Sequence, residues 1–206
     1  MAYHGYTNLM CQFLDALPNH HVRILEIGIA SGQMMIPLVH HLVKTHRPFE
    51  FVGIDIFVKD HLDVILRGFN LDERRAKVSL INGNSLEELS KISGTFDLIL
   101  VDGDHNYYTV KNEMTHIERL SRPHTIVLCD DYHGKWSQKD LYYSEREDYA
   151  EIKSATERQE TEKQGVAPAI DEWLEEHVNW TSISPLGGEP ILLQKSDTGL
   201  LRGIEK

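Results

Sequence analysis

The sequence has little of the features that mark secreted or membrane proteins. It contains only two cysteines in 206 residues, Cys11 and Cys129, which lie far apart in apolar surroundings. This usage excludes a disulfide-stapled domain and predicts two free thiols in a reducing cytoplasm. No apolar run approaches the ~20 residues that a membrane helix needs. The N-terminal residues also lack the basic and apolar regions of a signal peptide. We therefore expect a cytoplasmic protein without membrane association.

Basic residues are also few relative to acidic ones. The chain has 21 Lys and Arg against 32 Asp and Glu, which gives a formal net charge of −11. Such a surface repels phosphate backbones, so we expect no nucleic-acid partner. The 12 histidines include the adjacent pairs His20/His21 and His40/His41. Neighbours in sequence do not face each other on a helix, so we interpret these pairs as solvated side chains.

Short apolar runs alternate with helical patterns, which predicts an α/β fold with a parallel sheet. The N-terminal helix is predicted over residues 5–18, with Pro37 in the early turns of the second helix. The predicted strands are Val22 to Ile27, Phe49 to Ile54, Val78 to Ile81, Phe96 to Val101, Thr125 to Cys129, Trp180 to Ser184 and Pro190 to Gln194. The 206 residues suit a single domain.

One segment breaks this alternation. Residues 132–164 are polar and charged with interspersed aromatics, which is typical of a surface insertion or a lid. A helix with Val166, Ile170, Trp173, Leu174 and Val178 on its apolar face follows. A turn with Gly187 and Gly188 then joins the last two strands, and residues 196–206 are predicted to be a frayed tail.

The turn after the first strand reads Glu26-Ile-Gly28-Ile-Ala-Ser31-Gly32. It follows a buried strand and opens a helix, where glycines let the backbone approach a nucleotide-like ligand. Its spacing is not G-x-G-x-x-G, because Glu26 replaces the first glycine. A carboxylate there attracts a cationic amino group or sulfonium and repels a pyrophosphate, which favours S-adenosylmethionine (SAM) over a dinucleotide. The alternative is a plain glycine turn with a solvated glutamate.

Polar residues also follow the second and third strands. Asp55 ends the second strand, where an acid typically accepts hydrogen bonds from ribose hydroxyls. Asn84 and Ser85 follow the third strand and are candidates for contact with a base. Ser85 is also predicted to cap a short helix, with Glu88 completing a capping box.

Acids close the fourth and fifth strands. If these strands are neighbours, Asp102, Asp130 and Asp131 converge at the carboxyl ends of the strands. Ligands of a doubly wound sheet bind at this edge. Three carboxylates so close together repel one another unless a cation compensates them, and Mg²⁺ is the natural candidate. The alternative is that the acids begin solvated loops.

These segments together match a family. The runs LEIGIASG, VGID, INGNS, FDLILVDGDHNYYTVKNEM and LCDDYH resemble the class I SAM-dependent methyltransferases, in particular small-molecule O-methyltransferases of the catechol and macrocin type. The resemblance implies a Rossmann-like, doubly wound seven-stranded sheet of order 3-2-1-4-5-7-6 with the last strand antiparallel. Relatives of this kind are often homodimers. Residues 132–164 match no part of the family pattern.

The resemblance also implies roles for individual residues. SAM would contact Glu26, Gly28, Ser31, Gly32 and the acid Asp102, with its ribose on Asp55 and its adenine near Asn84 and Ser85. A divalent cation, Mg²⁺ by expectation, would fall on Asp102, Asp130 and Asp131. In catechol-type relatives a lysine acts as the base. The corresponding position in this sequence is His105, and Asp104 is the alternative base. The expected reaction is metal-assisted methylation of a hydroxyl on a small molecule.

Other readings of the same motifs stay open. A relative of the cephalosporin hydroxylase-like proteins would share the strand-end acids, and a non-catalytic SAM-binding module would share the fold. A nucleotide-dependent dehydrogenase is disfavoured by the missing G-x-G-x-x-G and by Glu26. Methylation of nucleic acid or protein finds no support, because the chain has no basic stripe.

Overall fold

Seven strands form one sheet of order β3-β2-β1-β4-β5-β7-β6. The computed structural model describes residues 3–18, 21–183 and 189–197. The strands are β1 (Val22–Ile27), β2 (Phe49–Asp55), β3 (Ala76–Asn82), β4 (Phe96–Val101), β5 (Ser121–Cys129), β6 (Trp180–Ser182) and β7 (Ile191–Lys195). Strands β1 to β5 pair in parallel, and β7 runs antiparallel to both β5 and β6. The predicted fold class, strand order and antiparallel strand are confirmed.

Helices cover both faces of the sheet. They are α1 (Thr7–Ala16), α2 (Met35–Lys44), α3 (Asp60–Gly68), α4 (Ser85–Glu88), α5 (Tyr107–Arg119) and α6 (Val166–Glu176). Side chains alternate along β1, so that Leu25 and Ile27 join the core under α5 and α6 while Ile24 joins the core under α1, α2 and α3. Because both faces are covered, the central strands read as continuous apolar runs in the sequence.

Several predicted boundaries need correction. Strand β5 begins at Ser121, because Ser121 pairs with Phe96 of β4 ahead of a register shift, and regular pairing resumes at Leu98 and Ile126. The capping box of Ser85 and Glu88 is wrong, since Asn84 is the N-cap of α4 and its side chain accepts from Leu86 N. Val178 is 84% exposed and lies beyond the end of α6.

The segment 132–164 is mostly loop with two 3-10 turns, Tyr143–Glu145 and Glu147–Tyr149. Its anchor is Tyr142, whose side chain is fully buried. The backbone of Leu141 forms an isolated bridge with His105, so the segment is attached beside the end of β4.

Three remaining predictions concern the cysteines, the membrane and the chain end. Cys11 and Cys129 are free thiols, as predicted. Among the helices of the described ranges, none has the length and apolarity needed to cross a bilayer. The turn with Gly187 and Gly188 and most of the tail 196–206 lie outside the described residues.

Candidate functional site

The turn after β1 passes against the end of β4 with no room for a side chain. Gly28 has φ +82°, and a Cβ atom there would lie 2.0 Å from the carbonyl oxygen of Asp102. Gly28 N donates to Ile54 O and Asp102 N donates to Ile27 O, both at 2.8 Å. The ends of β1, β2 and β4 are therefore tied together at this turn, and only glycine fits position 28.

Asp55 holds the same turn from the end of β2. Its Oδ2 atom accepts hydrogen bonds from Ile29 N and Ala30 N, both at 2.8 Å, and its Oδ1 atom accepts from Phe57 N at 2.8 Å. The sequence predicted a ribose contact for Asp55. The structure adds that this carboxylate organises the two loops that flank it.

A cleft opens at the carboxyl ends of β1, β2, β3 and β4. It encloses about 620 Å³, part of it open to solvent. Its walls are formed by Ile27, Gly28, Ala30, Ile54, Asp55, Ile56, Phe57, Lys59, Gly83, Asn84, Ser85, Asp102, Gly103, Asp104, Tyr143, Tyr149 and Thr156. Six of the residues singled out from the sequence are on this wall: Gly28, Asp55, Asn84, Ser85, Asp102 and Asp104.

Three expected cofactor residues of the glycine turn, Glu26, Ser31 and Gly32, are not on the cleft wall. Gly32 is buried on the other side, where a Cβ atom would lie 2.8 Å from side-chain atoms of Ile36 and Leu62. Ser31 is half-buried beside it. Glu26 is 1% exposed, and its Oε2 atom has no hydrogen-bond partner among the described residues. Burial, assisted by the charge of Asp55, raises the pKa of Glu26 well above its ordinary value.

The turn after β3 carries Asn84 and Ser85 into the cleft. Asn84 Nδ2 donates to Ser154 O at 2.8 Å and to Thr156 Oγ1 at 3.0 Å. Ser85 Oγ donates to Glu113 Oε1 at 2.5 Å. The two side chains therefore face different partners, one in the segment 132–164 and one beneath the cleft.

Glu113 on α5 is a buried acid that the sequence analysis missed. It is 0% exposed, and its Oε2 atom has no partner among the described residues. Burial raises the pKa of Glu113 to about 8, although the hydrogen bond from Ser85 opposes the rise. The only signal in the sequence was an acid on the otherwise apolar face of that helix, near Val110 and Met114.

The strand-end acids Asp102 and Asp130 lie next to each other beside the cleft. Burial and the neighbouring Asp130 charge raise the pKa of Asp102 well above its ordinary value. Burial also raises the pKa of Asp130 to about 6, and the two carboxyls lie close enough for each to affect the pKa of the other. Asp130 Oδ1 is buried with no partner among the described residues. Asp131 has φ +55° at the same loop.

His105 lies between two of these acids. Its Nε2 atom is 3.7 Å from Asp102 Oδ1, and its Nδ1 atom is 3.7 Å from Asp131 Oδ2. The residue is 8% exposed, and burial lowers the pKa of His105 while the Asp131 charge opposes this. The imidazole is therefore neutral at physiological pH and can accept a proton.

Asp104, the rival base, is on the cleft wall. Its Oδ2 atom accepts from Thr109 Oγ1 at 3.2 Å and its Oδ1 atom accepts from Tyr143 N at 3.4 Å. Burial raises the pKa of Asp104 to about 6. Within the described part of the chain, no group of three or more His, Cys, Asp or Glu side chains is arranged so that it could hold a metal ion.

Comparison with known proteins adds to this geometry. Residues 25–132, about half of the chain, match the family described as "Methyltransferase domain". The O-methyltransferase hkm8 of Aspergillus hancockii is 27% identical over 116 residues, which cover 56% of this chain and 45% of that protein. The matched part thus spans about half the length of that curated relative.

Solved structures share the fold. A protein from Corynebacterium glutamicum superposes with a TM-score of 0.63 and 15% identity, covering 94% of this chain and 81% of that one. The O-methyltransferase TomG from Streptomyces achromogenes, solved in complex with SAM, gives a TM-score of 0.56 and 16% identity over 94% and 79% of the two chains. At identities this low, the structural similarity establishes the fold alone.

Proposed function

The chain belongs to the methyltransferase-domain family, and on this premise we propose that it transfers a methyl group from SAM to a hydroxyl oxygen of a small molecule. The observation that carries the proposal is the contact between Gly28 and the Asp102 backbone at the floor of a cleft bordered by Asp55 and Asp104. A ligand in this cleft meets bare backbone on one side and carboxylates on the other, which suits a cationic nucleoside.

The binding residues follow from this arrangement. Asp55 accepts three backbone N–H groups, and a carboxylate offers about four lone-pair sites, so it retains capacity for a ribose hydroxyl. A positive charge near Glu26 would compensate its buried, unpartnered oxygen. Ser85 and the backbone of its turn are assigned to the adenine. Of the other expected cofactor residues, Gly28, Asn84 and Asp102 line the cleft and keep their assignment. Ser31 and Gly32 are not on the cleft wall, and their contact with SAM stays a prediction.

The reaction needs an acceptor oxygen that has lost its proton. SAM, when bound, supplies a methyl group on a positively charged sulfur. His105 is the assigned base, because its buried imidazole is neutral and lies beside Asp102. Asp104 serves as a second proton acceptor on the cleft wall, since a pKa of about 6 leaves it mainly ionised at neutral pH. Alignment of the acceptor with the methyl group supplies much of the rate.

A divalent cation is part of the proposal. The unpartnered Asp130 Oδ1 and the neighbouring Asp102 carboxyl are hard oxygen donors that suit Mg²⁺. The three acids do not form a metal site as they stand among the described residues, so Asp102, Asp130 and Asp131 would hold the ion only after the Asp131 side chain turns toward the other two. When bound, such an ion would supply a positive charge that lowers the pKa of an acceptor hydroxyl. The cytoplasmic location, the homodimer and the absence of a nucleic-acid partner stay predictions.

Two measurements test the function. Calorimetry with SAM and with its demethylated product, S-adenosylhomocysteine (SAH), measures binding. Transfer of label from methyl-labelled SAM to a panel of phenols, catechols and sugar hydroxyls measures reaction. We expect SAM binding in the micromolar range and labelled product with at least one hydroxyl class. His105→Gln should lower kcat by roughly 10²- to 10⁴-fold and leave the Kd for SAM unchanged.

The outcomes separate the alternatives. Failure of SAM and SAH to bind at millimolar concentration would overturn the proposal. SAM binding without transfer to any acceptor would favour the non-catalytic module. Conversion of SAM or acceptor without methylated product would favour the hydroxylase-like relative.

A further inference from the structure

The segment 132–164 forms one wall of the cofactor cleft. Tyr143, Tyr149 and Thr156 of this segment line the cleft together with the acids Asp55, Asp102 and Asp104. The rings of Tyr143 and Tyr149 lie against each other, with centroids 4.7 Å apart and an angle of 52° between their planes. Two adjoining aromatic faces over a cleft bordered by carboxylates are suited to a flat or positively charged ligand.

The two tyrosines serve different ends of the cleft. Burial and, as a smaller cause, the charge of Asp55 raise the pKa of Tyr149. This ring therefore lies near the residue assigned to the ribose. The backbone N–H of Tyr143 donates to Asp104 Oδ1 at 3.4 Å, which places Tyr143 near the residues assigned to the reaction. Neither phenol hydroxyl hydrogen-bonds another side chain or backbone group of the described residues, so both can turn to a ligand.

Asn84 fastens this wall to the body of the protein. Both hydrogens of its amide are donated to the segment, at 2.8 Å to Ser154 O and at 3.0 Å to Thr156 Oγ1. Ser154 Oγ also reaches Ile56 O at 3.5 Å. Since the amide Oδ1 of Asn84 caps α4, one side chain joins the loop after β3 to the segment and fixes its own helix at the same time.

We propose that Tyr143 and Tyr149 form an aromatic wall that contacts the bound sulfonium nucleoside, and that Asn84 is the positioning residue that latches this wall over the cleft. The proposal rests on the proposed function and names residues of a segment to which the family pattern gives no role. Tyr149 covers the ribose end. Tyr143 covers the sulfonium, which it stabilises through its ring face because the sulfur is positively charged in SAM and neutral in SAH.

The charge difference between SAM and SAH makes the test specific. Calorimetry measures the Kd of both ligands for the wild type, Tyr143→Leu and Tyr149→Leu. We expect Tyr149→Leu to weaken both ligands equally, by roughly tenfold. Tyr143→Leu should weaken SAM by roughly 3- to 30-fold more than SAH. Tyr143→Phe keeps the ring and should retain the preference for SAM. Tyr108→Leu, a half-buried tyrosine that is not on the cleft wall, is the matched control.

Asn84→Ser tests the latch. Serine keeps the capping function for α4 and removes the amide that reaches the segment. Trypsin has exposed sites in the segment at Arg146, Lys153 and Arg158. We expect faster cleavage at these sites in Asn84→Ser, an unchanged midpoint of global thermal unfolding, and weaker SAH binding. A residue that only stabilised the fold would lower the midpoint instead.

The failures can be told apart. If the wild type binds SAM and both leucine variants bind SAM and SAH within twofold of it, the aromatic wall is overturned while the proposed function stands. If the segment of Asn84→Ser is cleaved at the wild-type rate, the latch is overturned. If the wild type binds neither ligand, the proposed function and this inference fall together.

Discussion

Ser85 donates its hydroxyl hydrogen to Glu113 across 2.5 Å, which joins the floor of the cleft to a carboxyl that is 0% exposed. Glu113 is in helix α5 behind the cleft, so a residue assigned to the adenine is held from the protein interior. Burial raises the pKa of Glu113 to about 8. The carboxyl therefore carries a proton at neutral pH in the folded protein and has lost it in the unfolded chain.

This difference predicts how stability depends on pH. Below its ordinary pKa of 4.5, Glu113 is protonated in both states. Between that value and about 8 only the folded protein holds the proton, so the free energy of unfolding falls as pH rises, by at most about 1.4 kcal/mol per pH unit from this group. Glu113→Gln should flatten this part of the curve in urea denaturation, because glutamine accepts from Ser85 without titrating. Parallel curves for the two proteins would contradict the assignment.

The glycine turn predicts a large effect of a single methyl group. Gly28→Ala places a Cβ atom 2.0 Å from the Asp102 carbonyl oxygen at φ +82°. We expect a loss of roughly 2 kcal/mol or more in the free energy of unfolding and no measurable SAM binding by calorimetry. Gly68→Ala is the control, because a Cβ atom there meets no atom within 4 Å. Equal behaviour of the two variants would show that the close approach does not exist.

The hydrogen bonds of Asp55 predict that its replacement lowers both the order of the two flanking loops and the affinity for the cofactor. Asp55→Ala leaves the N–H groups of Ile29, Ala30 and Phe57 without their acceptor. We expect at least a tenfold higher Kd for SAH, measured by calorimetry, and roughly 1–3 kcal/mol lower stability. Asp72→Ala removes one turn hydrogen bond, to Arg74 N, far from the cleft, and should leave the Kd unchanged. A wild-type Kd in Asp55→Ala would remove its assigned role.

The metal-binding role assigned to Asp130 predicts how methyl transfer depends on Mg²⁺. Asp130→Ala should abolish the stimulation of methyl transfer by Mg²⁺ and leave the Kd for SAM within about twofold. The assay compares turnover in EDTA with turnover across a Mg²⁺ titration. Asp148→Ala, an exposed acid that binds Arg146, is the control and should respond to Mg²⁺ as the wild type does. A double variant of Asp102 and Asp130 that methylates at the wild-type rate would exclude the metal.

The sequence predicted the fold where local pattern and global packing agree. Strands β1 and β4 were found because strands covered on both faces read as apolar runs. The start of β5 was missed, because Ser121 pairs with Phe96 ahead of a register shift, and the residues between Ser121 and Ile126 show no apolar strand pattern. The N-cap of α4 was misassigned, since Asn84 and Ser85 can both cap a helix. The extended backbone of Asn84, with ψ 130°, decides between them.

The sequence by itself determined the family and the positions of the glycine turn and the strand-end acids, because these depend on short runs of neighbouring residues. The order of the strands followed from the resemblance to that family. Only the tertiary structure brought Glu113 under Ser85 and Tyr143 and Tyr149 over the cleft. Asn84 meets Ser154 across 70 residues of chain. Both residues of this contact lie in loops, which have no repeating geometry and therefore no periodic pattern in the sequence. Only the packing of the whole chain brings the two loops together.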